Sequence, residues 1–145
     1  MQGLYLEDLT VGQSAELTAE VTGSTIQAFA EVSGDNNPVH LDEDYAAKTQ
    51  FGGRIAHGML SGAYISAVIG TRLPGPGAIY VSQSMRFRRP VKIGDKVVAR
   101  ATVTEIDPDR ARVTLATVCA VGGKSVVEGE AVVMVPRRPN QQAGA

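Results

Sequence analysis

The sequence predicts an α+β fold in which one apolar helix is wrapped by a five-stranded antiparallel sheet. Three observations carry that expectation. Residues 58–72 repeat apolar side chains with hardly any charge, the sign of a buried helix. Several other segments alternate apolar and polar residues at period two, as half-buried strands do. Two of these segments flank Gly122-Gly123, a strong two-residue hairpin signal. Layering a sheet on a helix buries both apolar faces.

Each element follows in order. Leu6–Gly12 is a lead-in, and Ala15, Leu17, Ala19 and Val21 define a strand over about Ser14–Thr22. Ser24 is the expected N-cap of a helix whose apolar face is Ile26, Phe29, Ala30 and Val32, ending at Gly34. Residues 34–40 are dense in turn formers and read as a loop. Asp42 then caps a short helix through Lys48, and a loop at Phe51-Gly52-Gly53-Arg54 leads to the long helix from about Gly58 to Arg72. Leu73-Pro74-Gly75-Pro76-Gly77 stops it. Ala78–Arg88 is a strand with Val81, Met85 and Phe87 on one face, interrupted by Gln83. Gly94-Asp95 and Asp107-Pro108-Asp109 are turns flanking a strand over Lys96–Asp107. Arg110–Val121 and Lys124–Val135 form the hairpin, and the tail Pro136–Ala145 is expected to be mobile. A five-stranded sheet leaves open edges, so pairing of two subunits is a reasonable expectation.

Composition narrows the function. The 145 residues suit one domain, taken as 1–135, and 43% hydrophobic content excludes a mainly disordered chain. A net charge of −1 argues against a broad nucleic-acid footprint. One cysteine, Cys119, excludes a disulfide framework or a multi-thiolate zinc site, and its apolar strand makes it a core filler. No basic, then apolar, leader stands at the start, and no run is long enough to span a bilayer, so the expectation is a cytoplasmic protein without membrane partners.

The candidate chemistry is concentrated in two places. Asp35 and His40 share a loop stiffened by Pro38, which can aim a carboxylate and an imidazole at one water as an acid–base unit. Equally, Asp35 can cap a turn while His40 packs. Gly58, following His57 at the start of the buried helix, offers an unobstructed N–H at the positive end of the helix dipole, suited to a carbonyl oxygen gaining charge. The plainer alternative is a tight turn at Gly58 with His57 anchoring a loop. Ser61, Ser66 and Ser84 are possible hydroxyls, but none sits in a nucleophile elbow. Arg86, Arg88 and Arg89 read as a solvated strand face, or as a basic edge that meets a phosphate. Two histidines with no further matching ligands are weak evidence for a metal.

Gly34-Asp35-x-Asn37-Pro38-x-His40, Phe51, Ile55-Ala56-His57-Gly58-Met59, Phe87-x-x-Pro90-Val91 and Gly94-Asp95 together resemble the MaoC-like hydratase family. Within it they resemble the (R)-specific enoyl-CoA hydratases, over about residues 10 to 135. The resemblance implies a hot-dog fold, a homodimer, and hydration of trans-2-enoyl-CoA to (R)-3-hydroxyacyl-CoA. By the same resemblance Asp35 and His40 are the catalytic pair, Gly58 is the oxyanion donor, and Asn37, His57 and Ser66 are supporting residues. Ile65 or Ile69 would face the acyl chain, and the three arginines are candidates for the coenzyme A phosphates. The resemblance calls for no metal or redox cofactor; coenzyme A, or an acyl carrier protein in its place, belongs to the substrate. A thioesterase on the same fold and a non-catalytic acyl-thioester binding subunit are the alternatives. Thiol release, or binding without turnover, would distinguish them.

Overall fold

The β4–β5 hairpin sets the sheet. Gly122 and Gly123 both take positive φ, 58° and 79°, as a tight hairpin turn matched to strand twist requires. That turn joins β4 (Arg112–Val121) to β5 (Lys124–Met134). With β1 (Ser14–Glu20), β2 (Ile79–Phe87) and β3 (Lys96–Asp107) they form one antiparallel sheet in the order β1-β3-β4-β5-β2. The structure, a computed structural model, describes residues 2–139. The inner face of the sheet carries Val97, Ala99, Ala101 and Val103 from β3, all buried as their period-two spacing predicts.

The long helix, α4 (Gly58–Thr71), lies against β3, β1 and β4. It buries Leu60, Ser61, Ile65, Val68 and Ile69. Each fully buried aliphatic side chain contributes about 1.5–3 kcal/mol, so this face alone fixes the helix on the sheet. Cys119 fills space beneath it, wholly buried, its thiol 3.5 Å from the Ser61 carbonyl.

Several expectations need correction. The first helix, α1 (Gly23–Ser33), is capped by Thr22 rather than Ser24. Thr22 Oγ1 accepts from the Thr25 N–H at 3.1 Å, and Thr25 Oγ1 accepts in return from the Thr22 N–H at 3.4 Å, a reciprocal arrangement Ser24 cannot make. Val32 points to solvent, leaving Ile26, Phe29 and Ala30 as the packed face. The loop read over 34–40 contains the start of a short helix, α2 (Pro38–Leu41), because Asn37 caps it and Pro38 occupies a first-turn position where its missing N–H is not needed. Helix α3 (Glu43–Ala47) follows, capped by Asp42 as expected.

The long helix is not buried all round. Met59, Ala63, Ser66 and Gly70 face outward, because the sheet covers only the other side of α4. Strand β2 sits at a sheet edge, paired only with β5, and exposes Ile79, Val81 and Phe87. A register shift between Tyr80 and Ser82 takes Val81 out of the pairing, so the expected single apolar face is only partly realised. At the C-terminus, the Leu6 N–H donates to the Pro136 carbonyl at 2.9 Å, and Arg138 binds Glu7 through its backbone N–H and pairs with Asp8. These contacts tie the beginning of the expected mobile tail to the lead-in; residues 140–145 lie outside the described residues. Among the described residues, no helix is long and apolar enough to cross a membrane.

Candidate active site

The segment from Ser33 to Val39 is built by polar side chains that each reach two residues ahead. Ser33 Oγ accepts from the Asp35 N–H at 3.1 Å, Asp35 Oδ1 from the Asn37 N–H at 3.2 Å, and Asn37 Oδ1 from the Val39 N–H at 3.1 Å. This relay of short turns replaces backbone pairing in a stretch whose residues favour it. Gly34 makes it possible by taking the left-handed conformation, φ 80°, that closes α1. Asn37, expected to support the loop, caps α2 through this bond to Val39.

His40 emerges from α2 almost buried. Its Nδ1 lies 2.8 Å from the Ile55 carbonyl. A carbonyl only accepts, so Nδ1 carries the hydrogen, and in the neutral ring Nε2 then holds the lone pair that a general base needs. Arg54 Nε donates to the His40 carbonyl at 2.6 Å, and the Ala56 N–H donates to the Val91 carbonyl at 2.7 Å. The histidine is therefore fastened through residues 54–56 to the strand-side segment at Val91.

His57 is the N-cap residue of α4, yet its ring does not cap the helix. Its Nε2–H donates to the main-chain carbonyl of Asp35 at 2.8 Å. Its face stacks on His40 with centroids 3.9 Å apart, and Phe29 packs on it at 4.9 Å. His57 thus braces the Asp35 turn and the His40 ring, a wider role than holding the glycine loop. Its Nδ1 is buried without a hydrogen-bond partner among the described residues. Asp35, His40 and His57 each place one potential ligand or proton-transfer atom within 4.8 Å of the others. Such spacing accommodates one water.

Gly58, the first residue of α4, has an N–H with no intrahelical acceptor. The Phe87 ring lies so close that a β-carbon on residue 58 would stand 2.7 Å from its Cε1. His40, His57, Gly58 and Phe87 border a cavity of about 570 Å³, with Phe51, Ile55, Met59 and Val127 among its apolar walls. Among the described residues no carboxylate lines it, and Arg88 and Arg89 are its fully charged members. The arrangement offers a base, a nearby carboxyl group, and a helix-terminal N–H beside an apolar chamber.

A model for the MaoC like domain matches residues 9–125. The chain belongs to the MaoC-like family. An (R)-specific enoyl-CoA hydratase of Rhodospirillum rubrum is 58% identical to this MaoC-like chain over 134 residues, covering 92% of it and 93% of the relative. A 3-hydroxybutyryl-CoA dehydratase of Methylorubrum extorquens is 53% identical, covering 93% and 86%. Among solved structures, an unliganded R-hydratase of Pseudomonas aeruginosa superposes with a TM-score of 0.89 at 53% identity, covering 94% of this chain and 88% of that one. The sheet wrapped on α4 is accordingly the hot-dog fold.

The MaoC-like chain brings Asp35, His40, His57 and Gly58 together but not every expected site residue. Ser66 lies on the exposed side of α4 and is not a cavity residue; Ser61, almost buried and one turn from Gly58, borders the cavity instead. Ile65 and Ile69 belong to the core, because their face of α4 turns to the sheet. Val127 had no local signal at all: it reaches the cavity through its pairing with Phe87 across β2 and β5.

Proposed function

We propose that this protein hydrates trans-2-enoyl-CoA to (R)-3-hydroxyacyl-CoA, reversibly, as a hydro-lyase. The observation that carries the reading is the fastening of His40: its Nδ1–H is held on the Ile55 carbonyl, an imidazole nitrogen lies within 4.8 Å of an Asp35 carboxyl oxygen, and the ring shares one cavity lining with Gly58. His40 takes a proton from the shared water as its oxygen attacks C3. Negative charge moves onto the thioester oxygen, where the Gly58 N–H at the positive helix end holds it. Asp35 delivers a proton to C2 and is restored by the proton that His40 took from the water. The apolar chamber takes the acyl chain, and the established chemistry of relatives named as hydratases and dehydratases supports both directions.

The same reading includes a cytoplasmic homodimer with residues 1–135 as one domain in each subunit. The unpaired β2 edge, with exposed Ile79, Val81 and Phe87, together with outward-facing Met59 on α4, supports pairing with a second copy. Asp35→Asn and His40→Gln test the chemistry. Each should lower kcat for crotonyl-CoA hydration by about 10²–10⁴-fold, the usual worth of a general acid or base. Wild-type activity in either variant, or release of free thiol in place of hydration, refutes the assignment.

A further inference from the structure

We propose that Arg89, with Arg88 in a weaker role, anchors the phosphate end of the thioester's carrier. The inference rests on the acyl-thioester reading above and extends it to a part of the ligand that reading leaves unassigned. The charge content of the cavity lining points to it. Apart from His40, His57 and Ser61 the other lining residues are apolar, and Arg88 and Arg89 are its fully charged members. A ligand matching that lining has an apolar portion and an anionic portion. The phosphate that terminates a pantetheine arm has this character, and it occurs both in coenzyme A and on an acyl carrier protein.

The backbone holds both arginines in place. Strand β2 ends at Phe87, and the N–H groups of Arg88 and Arg89 both donate to the Val126 carbonyl, at 2.7 and 3.3 Å. Their side chains then differ. Arg89 Nη1 donates to the Ser125 carbonyl at 2.6 Å, a neutral acceptor that orients the guanidinium without cancelling its charge. The remaining N–H groups of that fork suit phosphate oxygens. Arg88 instead approaches the Glu128 carboxylate at 3.6 Å, with both side chains nearly half exposed. Such a pair is loose in water but removes part of the charge Arg88 can offer. Arg89 therefore dominates, and Glu128 restrains Arg88.

The test compares crotonyl-CoA, crotonyl-loaded acyl carrier protein and crotonyl-pantetheine, which lacks phosphate. Arg89→Ala should raise KM for crotonyl-CoA about tenfold, in line with a charge-assisted hydrogen bond, with kcat within twofold. It should leave KM for crotonyl-pantetheine unchanged, and Arg89→Lys should recover part of the loss. A matching rise with the carrier protein assigns the contact to the shared phosphate; a rise with coenzyme A alone assigns it to the nucleotide phosphates. Glu128→Gln should act in the opposite direction, lowering KM for crotonyl-CoA. Should Arg89→Ala fail to fold, the wild type decides: added salt should raise KM for crotonyl-CoA and leave crotonyl-pantetheine unaffected. Equal effects on phosphorylated and phosphate-free thioesters, or none on either, overturn the proposal. Binding of free coenzyme A, measured calorimetrically, should weaken in Arg89→Ala whether or not the wild type hydrates crotonyl-CoA, so the anchor and the hydratase reading fail separately.

Discussion

Replacing Gly58 with alanine separates the proposed oxyanion donor from the stability of the fold. The added β-carbon would lie 2.7 and 2.8 Å from Cε1 and Cδ1 of Phe87, inside any normal contact, so the ring must move. Within one subunit it has room, being 56% exposed at the end of an edge strand. Alanine is also the better helix former, by up to about 1 kcal/mol in a helix interior and less at the first position. Crowding and propensity oppose each other, and the net change in stability should be about 1 kcal/mol or less, a shift of a few degrees in Tm for a domain of this size. Activity should respond quite differently. The methyl group and the displaced ring both stand beside the N–H proposed to hold the thioester oxygen, and loss of one such donor typically costs about 10²–10³-fold in kcat. Crotonyl-CoA hydration kinetics, paired with thermal melts followed by circular dichroism, measure both quantities. A variant that melts like the wild type and keeps its kcat would refute the role assigned to Gly58.

The bracing role of His57 predicts a split between two substitutions. His57→Gln can keep a donor for the Asp35 carbonyl and should retain more kcat than His57→Phe, which keeps a ring against His40 but leaves that part-buried carbonyl without its donor, at a cost of about 0.5–1.5 kcal/mol; the reverse ranking would show that stacking matters more. Burial pushes the Cys119 thiol up to about 11 from its ordinary 9.0, against a smaller lowering by its bond to Ser61. The unfolded chain therefore loses this proton first, so the stability it contributes is complete below about pH 9 and falls as pH climbs toward 11. Melts across that range should show a shallower alkaline decline in Cys119→Ala than in wild type, although the raised Tyr64 and Tyr80 add their own decline above pH 10; identical slopes would contradict the assignment.

Local rules made the strands, α4 and the Asp42 cap legible, because each depends on residues close in sequence. The same rules single out Asp35, His40 and Gly58, which sit in a dense polar motif and at a helix start, as the residues on which the proposed chemistry rests. What escaped depends on neighbours distant in the chain. Val127 enters the cavity only through cross-strand pairing with Phe87, and the bond from His57 to the Asp35 carbonyl spans two segments that no periodicity links. Ser61 and Ser66 illustrate the limit on one helix: five residues apart, they fall on different faces, and only the position of the sheet decides which one borders the cavity. The exposure of Met59 and Ser66 likewise follows from the sheet covering one side of α4, a fact that the uniformly apolar sequence of that helix conceals.

The proposed arrangement of His40, Asp35 and Gly58 would present water to one face of the double bond, so the reaction should be stereospecific. The most direct measurement is to hydrate crotonyl-CoA with the wild-type protein and resolve the handedness of the 3-hydroxybutyryl-CoA formed. The (R) product alone is expected. An (S) or racemic product would contradict it.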